Sequence, residues 1–275
     1  MPIDFNQQVI EEFRANGGQV GGYFEGARLL LLTTVGARSG TPHTTPLGYL
    51  PDGTERVLVI ASAGGAPRDP AWFHNLVANP QVTVEAGVFS YEAEAVVLIG
   101  AERDEAFARA AEADPGWADY EIKSGRTLPV VALQQVSGGP PNASSWGEAL
   151  RLIHDGFRRE FALIRKEFAQ SGPRLGAQLR VNCLTACQGL RFHHTGEDAG
   201  MFASLAHRYP ELAPTIERLH REHEQISVLL DELQLAVSTD SADPLLVLPE
   251  VERLTDELER HLAYEEEQLI PILDA

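Results

Sequence analysis

Ser137-Gly138-Gly139-Pro140-Pro141-Asn142-Ala143-Ser144-Ser145-Trp146-Gly147-Glu148 divides the chain. The Gly-Gly-Pro-Pro run continues neither a strand ladder nor a helix, because proline lacks the N–H that both require. The residues after it prepare a helix start. Ser145 offers a capping hydroxyl, and Glu148 follows it by three as in a capping box. The sequence pattern changes across this stretch. The 275 residues therefore read as two domains, 1–137 and 146–275, with 138–145 as a linker.

Before the break, short apolar runs suited to strands dominate, at 27–35, 44–50, 56–61, 81–85, 88–99 and 127–135. Turn signals such as Asp52-Gly53 and Gly64-Gly65 separate them. Helical periodicity is confined to 5–16, 71–79 and 103–113. This half is expected to be a split or closed β-barrel with a few packed helices. After the break no strand is convincing, and four amphipathic segments span 146–170, 174–207, 211–237 and 244–273. With short connections they predict an up-down four-helix bundle, making the whole chain α+β.

Composition narrows the function. With 22 basic and 40 acidic residues the formal charge is −18, which disfavours nucleic acid and anionic membrane as partners. No apolar run approaches the roughly 20 residues of a membrane helix. The opening MPIDFNQQVIEEF lacks a basic region followed by an apolar one, so a cytoplasmic protein is expected. Cys183 and Cys187, four apart, form no disulfide framework and suit core filling.

Seven of the nine histidines follow the break, which makes the bundle the place to look for a metal site. HHTGEDAGMFASL from His193 and HLAYEEEQLIPIL from His261 share His-x3-Glu followed by an acid. Leu190 and Leu258 extend the match backwards. At four-residue spacing, His193 with Glu197 and His261 with Glu265 each project an imidazole and a carboxylate from one helix face. His154 and His223 stand on apolar stripes, each followed at offsets of three, seven and ten by apolar residues. Four imidazoles and two carboxylates meeting in a bundle core suit two non-haem iron ions bridged by carboxylates. Six N/O donors exceed a closed tetrahedral zinc site.

This half resembles the hemerythrin-like (HHE) family through His154, residues 193–198, His223, residues 261–266 and the following Leu269-Ile270-Pro271. The resemblance implies an oxygen-bridged di-iron pair that binds dioxygen, senses iron or oxygen, or handles nitric oxide or peroxide. Oxygen-carrying members have His-x3-His on the third helix. Here Leu219 stands four before His223, and His220 only three before it. Plain oxygen carriage is therefore not implied, and His194, Asp198 and His220 stay open as ligands or as partners behind them. Either Glu265 or Glu266 fits the family register.

The front half carries loop motifs: LLTTVGARSG at 31–40, Pro46-Leu47, ASAGGAPRDPAWFHNL at 61–76, and DYEIKSGRTLPVV at 119–131. Serine and glycines after a strand expose N–H groups that can cradle an anion, with Arg38 and Arg68 as counter-charge. No GxGxxG or Walker string occurs. In their order and spacing these blocks resemble the deazaflavin (F420)-dependent nitroreductase family. Its members are split barrels that transfer hydride from reduced coenzyme F420 to quinones, nitro compounds or activated double bonds. The resemblance implies that Arg38, Ser39, Gly40, Ser62, Ala63, Gly64, Gly65 and Arg68 hold the phosphate and polar tail. It sets Pro46 and Leu47 near the deazaflavin ring, with Trp72 and Asn75 bracing the loop. Tyr120 occupies a substrate-side position able to donate a proton. Ala63 replaces a basic residue often found there, and Gly48 stands where a larger aromatic can occur. His43 and His74 are further proton-delivery candidates, with exposed loop positions as the alternative.

The combined expectation is an F420H2-dependent oxidoreductase fused to a di-iron domain, acting on a small organic acceptor and open to dioxygen or peroxide. A homodimer is compatible with this reading. A non-catalytic iron or oxygen sensor, and an FMN- or haem-using split-barrel enzyme, remain as alternatives.

Overall fold

The computed structural model describes residues 2–138, 141, 143–238 and 242–275, with only the backbone described for 2–4. Gly139, Pro140 and Asn142 of the expected linker, and residues 239–241 of the last connection, lie outside the described residues. The chain forms two compact units, Met1–Asn142 and Ala143–Ala275.

Unit one is a closed barrel of six antiparallel strands in the order β1-β2-β3-β6-β5-β4. The strands are β1 Leu29–Val35, β2 Pro42–Pro51, β3 Arg56–Ile60, β4 Gln81–Ala86, β5 Phe89–Val97 and β6 Val130–Gly138. Leu30 and Leu32 of β1, Val82 and Val84 of β4, Ala93 and Ala95 of β5, and Val131 and Leu133 of β6 fill the interior with the two-residue period of a pleated strand. The alternate residues are not left to water. Leu29 and Leu31 pack under Val9, Ile10 and Phe13 of α1 (Pro2–Ala15). Leu58, Ile60, Val130 and Ala132 pack under Ala106, Phe107 and Ala110 of α3 (Gly100–Ala113). Covered on both faces, these strands read as continuous apolar runs rather than alternating ones. The remaining helices are α2 (Ala71–Ala78), which drops Trp72 and Leu76 into the barrel interior, and α4 (Gly116–Ser124). The periodicity of the sequence did not predict α4. It is nine residues long, opens where Asp114 accepts the N–H of Gly116, and ends at Gly125 in the left-handed conformation (φ 65°).

Unit two is helical: α5 Trp146–Gln170, α6 Ala177–Gly196, α7 Phe202–Arg208, α8 Ala213–Val237 and α9 Pro244–Leu273. α5 packs on α6 and α9, and α8 packs on the same two, which is the cyclic arrangement of a four-helix bundle. Phe161, Ile164, Cys183, Cys187, Leu190, Leu230, Leu254 and Leu258 belong to its main core. The two thiols are thus apolar filler, and the hydrogen bond with Cys187 together with burial holds the Cys183 thiol well above its usual range. Ser145 caps α5 by accepting the N–H of Glu148 at 3.0 Å, as expected. The reciprocal half of the capping box differs, because Glu148 bonds the N–H and hydroxyl of Ser144 rather than reaching Ser145. The predicted helix 174–207 is interrupted by a π-helical turn at Glu197–Met201. Among the described residues no helix is long and apolar enough to cross a membrane.

Candidate metal centre and cofactor face

Four helices bring their donors to one buried place in unit two. His154 comes from α5, His193 and His194 from α6, Glu197 from the π turn, His223 from α8, and His261 and Glu265 from α9. His193 Nε2 lies 3.2 Å from Glu197 Oε1, and His154 Nε2 lies 3.5 Å from Glu265 Oε2. His223 Nε2 is 3.6 Å from Glu197 Oε2, and His261 Nε2 is 3.6 Å from Glu265 Oε2. The Nε2 atoms of His223 and His261 approach to 3.1 Å. All six sequence-predicted donors are brought together here, and His194 joins them.

These atoms do not satisfy one another. The Nε2 atoms of His154, His193 and His194, and both oxygens of Glu197 and of Glu265, are buried without a hydrogen-bond partner. Native interiors pair nearly all such atoms, since each orphan costs about 1–3 kcal/mol. Three overlapping groups of donors, each gathered within 4.8 Å, could hold a cation: His194-His223-His261, His154-His193-Glu197, and Glu197-His223-Glu265. Imidazole and carboxylate are the donor set of non-haem iron and related divalent ions. The residues fit such a metal.

The ring atoms facing away from this centre are held by carboxylates. His154 Nδ1 meets Glu266 at 2.9 Å, and Glu266 is itself held by Arg158 at 2.7 Å. His223 Nδ1 and His220 Nδ1 both meet Asp198 at 2.8 Å. His261 Nδ1 meets Glu222 at 3.0 Å, and Arg218 braces Glu222 at 2.7 Å. Such partners fix ring orientation and leave Nε2 as the inward lone pair. Without metal, burial keeps the imidazoles uncharged. It pushes His193 and His194 far down, and it brings His261 to about 4 with help from His223. Burial likewise raises Glu197 well above the carboxylate range and Glu265 to about 8, each aided by neighbouring carboxylates. Glu266 goes the other way. Burial opposes its charge, but His154 and Arg158 outweigh burial and lower it.

The π turn sets the lower edge of the centre. The buried residues of α6 advance by four and three, through Leu190, His194 and Glu197. An α-helical step from Glu197 would then bring Met201 inward. Instead the N–H of Phe202 bonds the Glu197 carbonyl, five residues back, and Phe202 is the fully buried residue. Its ring lies nearly parallel to His223, with centroids 5.4 Å apart.

In unit one the predicted cofactor residues fall into two hydrogen-bonded groups. The first is the turn between β1 and β2. There Gly36 N–H bonds Thr41 O, and Ser39, Thr41 and His43 share side-chain hydrogen bonds of 2.9–3.3 Å. Arg38, Ser39 and Gly40 are exposed on it. Asn75 of α2 accepts the Ala37 N–H at 3.0 Å and donates to Thr34 at 3.1 Å, so the helix is tied to the turn. Trp72 on the same helix is buried in the barrel core, and His74 is exposed. Pro46 and Leu47 are half-buried on β2, paired with Leu31 and Leu30.

The second group is the loop at 61–69. Ala63 has φ +48°, alone in positive φ among the described non-glycine residues, and Gly64 and Gly65 continue the left-handed path. A strained alanine in such a turn is characteristic of a ligand site. Gly65 has φ +77°, which favours glycine, and a Cβ there would press on the Lys123 side chain at 2.7 Å. Lys123 Nζ donates to Gly64 O at 2.9 Å. Arg126 does more: it donates to the carbonyls of Ala66 (3.2 Å), Ala61 (2.8 Å), Ser62 (3.3 Å) and Arg68 (3.5 Å), and to the Asp69 carboxylate. Arg68 itself is exposed. Tyr120 on α4 is half-buried, and a hydrogen bond with Tyr23 comes first among the causes raising its phenol, which stays a proton donor.

Sequence reasoning missed Arg126 and Lys123 as props of the loop and Glu222 as a partner of His261. Glu222 carried one signal, because it stands four after Arg218 and beside His223.

Residues 6–135 match the family described as F420H(2)-dependent quinone reductase, and residues 147–273 match the hemerythrin HHE cation binding domain. An F420H(2)-dependent quinone reductase of Mycobacterium tuberculosis is 36% identical over 125 residues, covering 44% of this chain and 83% of that protein. A solved F420-H2 dependent reductase (FDR-A) is 35% identical, covering 39% of this chain and 94% of its own, with a TM-score of 0.36. Another structure, described as a domain-swapped dimer, is 32% identical, covering 49% of this chain and all of its own, with a TM-score of 0.38. The chain belongs to the F420H(2)-dependent quinone reductase family, an F420-dependent oxidoreductase whose barrel is followed in the sequence by a hemerythrin HHE domain.

Proposed function

We propose that residues 1–137 pass hydride from F420H2 to a small organic acceptor of the quinone class, that residues 146–275 hold two iron ions open to dioxygen or peroxide, and that 138–145 link them. The single observation that carries the second part is the convergence of unpartnered imidazole nitrogens and carboxylate oxygens inside the bundle. The relatives' quinone acceptor supports the first.

Bound F420H2 supplies the hydride, and the chain's part is to bind, orient and protonate. Arg38, Ser39, Gly40, Arg68 and the Ser62-Ala63-Gly64-Gly65 turn hold the anionic tail. Pro46 and Leu47 present an apolar edge to the ring, and Trp72 with Asn75 keeps α2 against the turn. Tyr120, held protonated, delivers a proton to the reduced acceptor. In the bundle, His154, His193, Glu197, His223, His261 and Glu265 hold the metals, which supply one-electron redox chemistry and affinity for small oxygen species when bound.

The test uses the full chain. Purified protein should oxidise F420H2 with a soluble naphthoquinone and contain two irons per chain. Arg38→Ala and Ser62→Ala should each weaken F420 binding at least about tenfold, the scale of a lost charge-assisted contact. Unaltered F420 affinity in both refutes the assigned face. His193→Ala and His261→Ala should deplete iron, and full iron in both refutes the centre.

A smaller effect is expected at Asn75. Asn75→Ala removes both ties to the β1–β2 turn, at a cost of about 1–2 kcal/mol in stability. F420 affinity should fall by roughly 5–10-fold, the affinity equivalent of about 1–1.4 kcal/mol. Fluorescence titration of F420 reads it. An unchanged dissociation constant removes Asn75 from the binding face.

A further inference from the structure

His194 stands outside the repeated His-x3-Glu pattern. Aligning the two repeats puts it opposite Leu262, a fully buried core leucine of α9. The bundle thus carries an imidazole where its matching helix carries hydrocarbon. Burial leaves the ring 5% exposed, and its Nε2 has no hydrogen-bond partner. A ring kept only for packing needs no such atom. A phenyl group fills the same space without burying an unpaired polar atom.

The surroundings of that nitrogen are specific. His194 stacks on His223 with ring centroids 4.0 Å apart and planes 11° apart, and it meets His261 edge-on at 5.1 Å. Its neighbour His193 points to the other side, against His154 and Phe157 at 5.3 Å each. Successive residues on a helix diverge by about 100°. Two adjacent histidines on α6 therefore straddle the centre, one serving α5 and the other α8 and α9. The donor groups divide in the same way. His194-His223-His261 and His154-His193-Glu197 share no member, and Glu197-His223-Glu265 draws on both.

We infer that His194 is a metal ligand, completing an all-imidazole position with His223 and His261, distinct from a mixed position built on His154, His193 and Glu197. The inference rests on the two-metal reading above and sharpens it. The two ions have unlike ligand sets, three imidazoles against two, with the carboxylates of Glu197 and Glu265 between them. Removing His194 must then weaken one ion and spare the other.

Cobalt(II) is the probe, added to the metal-free full chain and followed by bound-metal analysis and by its visible d–d absorption. Wild type should take up two ions. His194→Phe keeps a ring on His223 and the packing of the core, but offers no donor. It should retain one ion at wild-type affinity and bind the other at least about 100-fold more weakly, beyond the 10–100-fold typical of losing a partner behind a ligand. His194→Ala should show the same split, and added free imidazole should restore the second ion in that variant. X-ray absorption of the cobalt-loaded wild type needs no variant, and it should count five imidazoles for two ions rather than four. Two ions at wild-type affinity in His194→Phe, the loss of both together, or a count of four each overturns the inference while leaving the two-metal reading in place. A wild type that binds fewer than two ions overturns both.

Discussion

Arg126→Ala is expected to lower F420 affinity by at least about tenfold, because a loop no longer held in place must be ordered when the cofactor binds. One guanidinium donates to four carbonyls along the 61–69 loop and to the Asp69 carboxylate. The loop cannot replace it from within, because its residues 63–65 already follow a left-handed path closed only by Gly65 N–H to Ser62 O and Ala66 N–H to Ala63 O. The Arg126 side chain is 16% exposed and that of Asp69 27%, so water reaches the pair only in part. Loss of the cation should also destabilise unit one by about 1.5–3 kcal/mol, the scale of hydrogen bonds to a charged group. Arg126→Lys should not rescue it, since a single ammonium cannot span five acceptors that a planar fork reaches. F420 titration by fluorescence and a denaturant melt of the same samples read both effects. An unchanged dissociation constant with a lowered melting point would make Arg126 a purely structural group.

The second large effect runs in opposite directions for metal and for stability. Glu197→Leu combined with Glu265→Leu should abolish binding of the ion held by His154, His193 and Glu197 and weaken the three-imidazole position. The metal-free variant should nonetheless melt above the metal-free wild type. Each carboxyl group is buried with both oxygens unpartnered, and burial already drives each toward its neutral form. Leucine has a similar volume and no such penalty, so the gain should be about 1–4 kcal/mol, the range seen when buried polar groups are exchanged for packed apolar ones. Metal analysis and calorimetry on chelated samples decide it. A lower melting point in the variant would mean that the imidazoles and carboxylates satisfy one another without metal.

Much of this was legible in the residues. The Gly-Gly-Pro-Pro run, the six apolar runs and the four amphipathic segments reflect backbone chemistry and two periodicities, which are local properties. The His-x3-Glu repeat pointed to four of the residues that converge in the bundle, and the apolar stripes through His154 and His223 pointed to the other two, for the same reason. The rest depends on what lies across the fold. α4 is too short for its periodicity to stand out, and its end is set by Gly125 and its place by the Lys123 bond to Gly64. Arg126 reads as an ordinary surface cation until the loop it spans, some 60 residues earlier, is folded against it. The π turn leaves the apolar content of 174–207 intact and alters only its phase, so a periodic reading passes through it. His194 was left undecided, as a ligand or as a partner behind one, for a different reason. Matching repeat to repeat favours the residue that recurs, whereas the stripe Leu190-His194-Glu197 on α6 already pointed to the other ring.

The extra residue in the π turn also separates two evolutionary problems. Upstream of Glu197 the inward face of α6 runs from the apolar core at Cys183, Cys187 and Leu190 to the ring of His194, and downstream Phe202, Leu205 and Leu212 belong to a small apolar cluster of their own. A single added residue acts as an angular joint between these stretches, letting one be tuned without rotating the other. Insertions of this size are usually counted as defects in a helix. Here it lets one continuous segment serve as both donor scaffold and hydrophobic plug, with Phe202 against His223 as the place where the two meet.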